Sequence, residues 1–445
     1  MFDILLFSGR IRRAHYLAAS LPLFFLPHSF VAAILFRRGQ TNNVDPMFWL
    51  EPVRALLWVQ PLSLAEISAC FFVTLLATWL LTALSFCRAR DAGLGGWNAA
   101  PVLVPVLQIP VILVLGIARS RHSGTTASKT ESGSLDWQSA LRGIVAGMAL
   151  TVFAVAVGTL LFGTYGYGLF FVSPFLIGAI TAYLANRNGD IGFRRTTSVV
   201  AAAAFLGALS LLGVALEGLI CIIVAAPLAV LAALLGSVFG RAAALHTRRS
   251  ATQPLMSVAL LPLVFISERL LPPSIRFDTQ ESIDISAPRP KVWDAIVHMA
   301  PLTEEPALPF RFGVAYPVAA RMTGQGVGAM RVGVFSTGIA VERVTEWRPN
   351  KLFAFAVLSN PPAMHELSPY RTVNAPHLRG YFTTSFTSFE LIPLGGGRTR
   401  IVERTQHELK LDPVFYWLPM ARFIIHENNM RVLAHIRAQA MIVTD

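Results

Sequence analysis

Charge is what this chain has least of. Only 14% of its 445 residues are Asp, Glu, Lys or Arg, and 54% are hydrophobic. No charged side chain occurs from Gly143 to Asn186, and Glu217 alone interrupts the stretch from Thr196 to Gly240. A soluble domain needs charges to keep its surface wet, and a disordered chain is far more polar, so this composition excludes both as a description of the whole. Each half of the first stretch is about the 20 residues that a helix needs to cross a hydrocarbon layer of about 30 Å. Cysteine is also scarce: Cys70, Cys87 and Cys221 lie within or at the end of apolar runs, with no spacing for a disulfide framework or a metal. Two hydrolase signatures are missing. The pairs His365-Glu366, His407-Glu408 and His426-Glu427 reach Pro369, Leu411 and Met430 where a zinc peptidase needs its second histidine, and no G-x-S-x-G elbow exists. The first apolar run ends at Arg37-Arg38 rather than at a small-residue cleavage site, so it reads as a membrane helix and not as a signal peptide.

The charges that remain are uneven. Residues 1–276 carry 20 Lys and Arg against 10 Asp and Glu, while residues 277–445 carry 17 against 15. The basic excess of the chain, +12 overall, therefore sits between apolar runs, where it reports topology and attraction to anionic headgroups rather than nucleic acid.

Four segments follow in order. Residues 1–122 hold apolar spans near 17–36, 64–86 and 98–118, the third broken by Pro101, Pro105 and Pro110 and so kinked or only partly inserted. Residues 123–139 form a Ser/Thr/Gly-rich linker. Residues 140–271 hold spans near 140–163, 168–186, 197–216 and 218–240, rich in Ala and Gly that let helices approach closely, and a shorter run at 254–271. Seven to eight crossings are expected. The basic loops 119–142, 187–195 and 241–249 are separated by pairs of spans, share a side, and by the positive-inside rule face the cytoplasm. Three full spans before Arg119 would place Arg10, Arg12 and Arg13 on the other side. Either 98–118 dips in and returns, or 47–62 adds a crossing, or the N-terminus is outside. If 255–271 crosses, the following domain is extracytoplasmic; if it lies in the interface, the domain is cytoplasmic. Pro272-Pro273 as an exit favours crossing. Glu217 sits in a turn between two spans, which favours an interfacial place over a transport role.

From Phe277 the pattern changes to a period of two. Runs at Ser282 to Ile285, Met330 to Phe335, Ile339 to Trp347, Leu352 to Leu358, Tyr381 to Ile392 and Thr399 to Leu411 predict antiparallel strands. A helix starts near Pro290, with Val292, Trp293 and Ile296 on one face, and a longer one covers about 413–441. Gly324-x-Gly326-x-Gly328 precedes a strand, so it reads as a hairpin rather than a phosphate loop, and Gly395-Gly396-Gly397 joins two more strands.

Two resemblances follow from these residues. Phe7-x-Gly9-Arg10-x-x-Arg13 with Arg88-x-Arg90-Asp91-x-Gly93-Leu94-x-Gly96-Trp97 resembles the bacterial inner-membrane family called domain of unknown function 805, over about residues 1–120. It implies a membrane location and no activity. Physically, Arg88 and Arg90 at a helix exit would reach lipid phosphates, Asp91 would pair with one of them, and the glycines would end the helix. The segment 277–441, with Ile283-Asp284-Ile285-x-Ala287-Pro288-x-x-x-Val292-Trp293-x-x-Ile296, Phe335-Ser336-Thr337-Gly338, Val344-Thr345-x-Trp347 and Gly397-Arg398-Thr399-Arg400, looks like the START-like superfamily, also called SRPBCC or polyketide cyclase/dehydrase-like. That resemblance implies an α+β helix-grip fold: an antiparallel sheet curled around the last helix over a hydrophobic cavity. Members bind lipids, sterols, hormones or polyketides, and a minority catalyse cyclisation, dehydration or hydrolysis.

The expected function is a membrane-anchored protein that binds a lipid or hydrophobic small molecule, with the bilayer as partner and without nucleic acid, metal or cofactor. Expected ligand contacts are Phe335, Phe353, Phe355, Tyr370, His377, Trp417, Phe423, His426, Met430 and Leu433. Helical spacing puts His426 on the apolar face with Phe423, Met430, Leu433 and Ala440, and His435 on the solvent face. The long Pro-rich connection 360–380 reads as a lid. An enzyme of the cyclase/dehydratase kind is the alternative, drawing acid and base from His377, His407, His426, Glu366 and Glu403. A transporter with a regulatory domain is the third reading.

Overall fold

The computed structural model describes residues 7, 9–39, 46–49, 52–56, 64–94, 96–103, 105–120, 136–246, 258–259, 261–369 and 378–442. The chain divides into two compact units, Met1–Pro272 with Ser368–Asn374 and Pro273–Leu367 with Ala375–Asp445. Residues 123–135 of the expected linker, and Tyr370 and His377, lie outside the described residues.

The first unit is helical: α1 (Arg13–Arg37), α2 (Leu64–Asp91), α3 (Pro105–Ile117), α4 (Trp137–Ala156), α5 (Ser173–Asn186), α6 (Phe193–Gly213), α7 (Leu219–His246) and α8 (Leu261–Leu270). Residues Val157–Phe162 continue α4, and Gly168–Val172 precede α5, as π-helical turns on either side of a tight connection. Six of these rods are long and apolar enough to cross a membrane, and Gly168–Asn186 is the most enclosed of them. Six such helices among the described residues leave the expected count of seven to eight crossings unconfirmed. The run 98–118 resolves into a 3-10 helix, Gly96–Leu103, and the 13-residue α3; the run 254–271 yields the 10-residue α8. At 1.5 Å per residue, α3 and α8 measure about 20 and 15 Å, short of a hydrocarbon layer of about 30 Å.

Side-chain clamps show where the short segments lie. Arg88, fully buried, donates from Nε to the Leu115 carbonyl (2.9 Å), from Nη2 to the Ala118 carbonyl, and from Nη1 to Asp91 (2.5 Å). Arg90 donates to the carbonyls of Phe7 (3.2 Å) and Gly9 (3.3 Å). The end of α2, the end of α3, Phe7 and Gly9 therefore meet at one end of the unit. The Pro-rich run enters beside Phe86, packs Val102 and Ile112 against Phe24 and Leu81, and returns. This geometry is that of the dip-and-return alternative for 98–118. It also corrects the expected role of Arg88, which caps helix carbonyls instead of reaching out to lipid. The predicted Asp91 pairing holds, and Gly93 at φ +72° ends α2 as expected.

The α5–α7 contact depends on glycine. A methyl group on Gly178 would collide with the Ala233 backbone, one on Gly236 with Phe175, and one on Gly240 with Ala179. Such small residues let two backbones touch where lipid supplies no hydrophobic drive.

The second unit has seven strands and two principal helices. They are β1 (Ile275–Ile285), α9 (Arg289–Val297), β2 (Pro317–Thr323), β3 (Met330–Phe335), β4 (Gly338–Arg348), β5 (Leu352–Ser359), β6 (Phe382–Gly395), β7 (Arg398–Leu409) and α10 (Val414–Ala440). All neighbours are antiparallel, in the order β1-β7-β6-β5-β4-β3-β2. This is the antiparallel sheet and long final helix of the expected helix-grip layout. Strand β2 is absent from the sequence reading. It begins at a proline, sits at a sheet edge, and its first four residues are all half-buried, so no alternation marks its start. The predicted hairpins are present at Gly324 to Gly328 and Gly395 to Gly397, where every glycine named has positive φ.

Gly236→Leu is expected to lower the melting midpoint of the detergent-purified protein, by about 1–3 kcal/mol or more of stability, since the clash is with backbone. Gly189→Leu, where a side chain meets nothing within 4 Å, is the control. Equal midpoints for the two variants would refute the close α5–α7 contact.

Candidate functional site

Alternation on β7 sends Thr399, Ile401, Glu403, Thr405, His407 and Leu409 inward, all of them buried, while Arg400, Arg404 and Gln406 face out. The register then decides which groups meet. Glu403 stands opposite Glu281 of β1 and Phe389 of β6, and Arg331 of β3 stands opposite Glu342 of β4. Directly opposed residues have their Cβ atoms about 4.5–5.5 Å apart.

The closed part of the interior is apolar. Ile285, Val292, Ile296, Val344, Phe353, Phe355, Phe389, Ile401, Leu433 and Ile436 form one buried cluster. Phe353 and Phe355 approach at 5.6 Å between centroids, and Phe355 and Phe389 at 6.5 Å. Ala320, Met322, Trp347, Val357 and Met430 pack on this cluster while only half-buried, so the interior is not closed on that side.

Polar groups continue the same inner face. Arg331 and Glu342 are both buried and form an ion pair, and the guanidinium lies 4.4 Å from the Phe355 ring centroid. Burial lifts the Glu342 carboxyl above its ordinary range even with Arg331 beside it. Glu281 accepts a hydrogen bond from His426 Nδ1 at 2.7 Å. Glu403 has no such partner: its Oε2 is buried with no hydrogen bond among the described residues. Burial holds its carboxyl well above the usual carboxylate range, against the pull of Arg331 and with a further push from Glu281.

His407 belongs to a different arrangement. Its Nδ1 meets Thr384 Oγ1 at 3.0 Å and its Nε2 meets Thr405 Oγ1 at 2.7 Å. Thr405 Oγ1 also meets Thr279 Oγ1 at 2.6 Å, and Asn429 of α10 donates to both threonines at 3.4 Å. The ring stacks on Phe382, 5.5 Å between centroids. Burial drives its pKa down to about 3, so the imidazole is neutral and satisfied, a poor acid or base near neutral pH.

The expected residues thus separate. Phe353, Phe355 and Leu433 lie in the buried cluster, with Met430 half-buried against it. Phe335 is half-buried at the end of β3, and Trp417 is half-buried in the first turn of α10, donating to the Asp412 carbonyl at 3.3 Å. Glu366 is half-buried in the 360–380 connection. Two orientations are corrected. Phe423 is 52% exposed and the His426 side chain 49% exposed, whereas His435 is buried and bonds the Ala300 carbonyl at 2.9 Å. The face expected to meet solvent is covered by the chain between α9 and β2; Asn429 reaches Thr279 and Thr405 of the sheet, and His426 bonds Glu281 at its margin. The sequence reading missed Arg331, Glu342 and Glu281. Inward parity on their strands was the available signal, since charged residues at core-facing positions are conspicuous.

Residues 4–126 match the family described as "Protein of unknown function (DUF805)". Among solved structures, the chain is similar to the Zhui aromatase/cyclase from Streptomyces sp. R1128, with 13% identity over 37% of this chain and 93% of that one, TM-score 0.24. It is also similar to norcoclaurine synthase from Thalictrum flavum, with 13% identity over 38% and 89% of the two chains, TM-score 0.25. A protein from Nitrosomonas europaea shows 14% identity over 36% and 92%, TM-score 0.23. At these values none of the three assigns a substrate or a reaction to this chain. No curated protein matches it.

The Glu403 carboxyl also sets a pH dependence. Its folded pKa is raised, so its contribution to stability is complete below the ordinary value of about 4.3 and is lost as pH rises through the folded value. Glu403→Gln cannot ionise. The melting temperature of the variant minus that of the wild type should therefore grow as pH rises above about 5; a constant difference up to pH 9 would contradict the buried neutral carboxyl.

Proposed function

We propose that this is a membrane-anchored protein whose residues 277–445 bind a hydrophobic small molecule or lipid between the sheet and α10, with 1–122 and 140–271 as the two parts of the anchor joined by 123–139. One observation carries the reading. Interior-facing apolar side chains, Met322, Val357 and Met430 among them, are half-buried beside a closed aromatic cluster instead of being sealed by it. Apolar surface left accessible inside a sheet-and-helix layer is where a ligand gains about 25 cal/mol per Å² of burial, before entropic costs. Ligands of this kind partition into the bilayer, so a tethered domain samples them at high effective concentration. Met430→Arg should weaken binding of a fluorescent fatty acid or sterol to the full-length protein at least about tenfold, because an unpaired charge would enter an apolar interior. Arg437→Ala, exposed on the same helix, should leave it unchanged. Equal affinities for the two variants would remove the ligand from this interface.

We further propose that residues 277–445 are extracytoplasmic. Basic residues Arg88, Arg90, Arg119, Arg187, Arg194 and Arg241 gather at the end of the unit where Arg241 pairs with Asp190 (2.6 Å) and Phe7 packs on Phe239 (5.6 Å). The opposite end holds the 163–167 connection, the turn at Glu217 bonded by Tyr165, and the last turn of α8. Glu268 there accepts from the Gly168 N–H at 2.5 Å, and Arg269 donates to the carbonyls of Leu161 and Phe162 at 3.3 Å. The chain thus passes from the basic end at Arg241 to the other end at Glu268 before leaving the unit, and the basic end is the cytoplasmic one. Gly189→Cys and Glu305→Cys, each in a background without Cys70, Cys87 and Cys221, should label differently from intact cells. An impermeant maleimide should reach Glu305→Cys alone; labelling of both or of neither would reverse the assignment.

A further inference from the structure

Polar and charged groups on the inner sheet face meet partners of several kinds. Arg331 is paired with Glu342 and His426 with Glu281. Arg422 of α10 lies over the Phe277 ring at 5.6 Å, and His407 is held between Thr384 and Thr405. These are the titratable groups that face Glu403 from β1, β3, β4, β7 and α10; β5 and β6 offer it phenylalanines and threonines. Glu403 itself is buried, aimed inward, and keeps an oxygen without a hydrogen bond among the described residues. Its cross-strand neighbour is Phe389, which continues into Phe353 and Phe355.

We propose that Glu403 donates a hydrogen bond from its carboxyl group to an uncharged acceptor, a carbonyl or hydroxyl oxygen, on a ligand whose apolar body lies against the half-buried Met430, Val357 and Met322, beside the closed cluster of Phe389, Phe355 and Phe353. The inference rests on the ligand-binding reading above and names the class of ligand. An uncharged acceptor fits because its partner charges are already taken up. A cation would draw Glu403 into ionisation inside an apolar layer, and an anion would find Arg331 occupied; either adds a charge where desolvation is costly. A neutral carboxyl is a donor with spare acceptor capacity, and a carbonyl or hydroxyl satisfies it without any change of charge.

The test is calorimetric titration of the full-length protein in nanodiscs with three eight-carbon probes: 2-octanone, octylamine and octanoate. Wild type should bind 2-octanone best, and Glu403→Ala should weaken that binding roughly tenfold, the usual scale of a lost buried hydrogen bond. Glu403→Gln keeps a neutral donor and should restore affinity to within about threefold of wild type. Wild-type affinity for 2-octanone should fall as pH rises through the range where Glu403 ionises, and the Gln variant should show no such fall. Preference for octylamine, lost in Glu403→Gln, would overturn the proposal in favour of a cation site. Equal weakening of every probe in Glu403→Ala with no pH dependence in wild type would reduce Glu403 to a structural role. Should the Ala variant fail to fold, the Gln variant and the wild-type pH profile still decide. Binding of the probes without dependence on Glu403 overturns this inference alone, whereas binding of none of them removes the ligand-binding reading with it.

Discussion

Hydrocarbon offers no hydrogen bonds, and the membrane unit is arranged around that constraint. A helix that stops inside a bilayer leaves four carbonyls or four N–H groups without partners, each costly to bury. This chain has two short apolar helices and one tight connection that would incur that cost, and its few charges are placed there. Arg88 takes the carbonyls at the end of α3, and Arg90 takes those of Phe7 and Gly9. Glu268 takes an N–H at the start of the rod that contains α5, and Arg269 takes carbonyls at the end of the rod that begins with α4. The signs agree with the helix dipole, acid at a start and base at an end. In this molecule the Arg88-x-Arg90-Asp91 motif directs its guanidinium donors to backbone carbonyls of the returning segment and of Phe7 and Gly9.

The second unit meets the reverse condition, since its interior admits charge. Ion pairs buried between strands contribute little to stability by themselves, because desolvation offsets their attraction. Arg331 and Glu342 nonetheless cost the interior little net charge, and the Arg331 guanidinium caps the Phe355 ring rather than leaving it bare. What the pair does is set the local charge to zero. Glu403, next along the same face, then has no counterion free to ionise it. On the proposed reading, that neutrality is what lets an interior built for apolar ligands carry a polar contact.

Much of this was legible in the residues. Period-two runs located six of the seven strands, and long uncharged runs located all six helices of crossing length, because burial on one or both faces writes itself into alternation or continuity. Failures came where tertiary packing overrode local pattern. The run at 98–118 is apolar enough to suggest a single span, yet it is broken at its prolines into a 3-10 helix and the short α3, whose end Arg88 clamps. On α10 helical spacing put His426 on the apolar face and His435 toward solvent, but a loop covers the side that counted as solvent, so His435 is buried and His426 is not. For the site, Glu403 and His407 were visible as candidates by type. Their roles were not, because only register reveals that one stands unpartnered opposite Glu281 while the other sits between two threonines.

Register is also why the site is sharply defined. Side chains on a strand alternate, so a slip of one residue in β7 against its neighbours would turn Glu403 and His407 outward and bring Arg404 and Gln406 in. The apolar neighbours oppose that slip: Ile401 and Leu409 flank the polar stretch on the same inward parity, and both are buried, as are their partners Ile275 and Leu391. The core residues at the two ends of β7 therefore hold the three polar ones between them in place. A buried carboxyl without a partner is unfavourable in isolation, and a strand free to slide would expose it. That β7 keeps it inside means the apolar contacts at its ends outweigh the cost of one unsatisfied oxygen. A ligand oxygen that satisfied the carboxyl would bind without rearranging the sheet, since the group is already fixed where the contact is made.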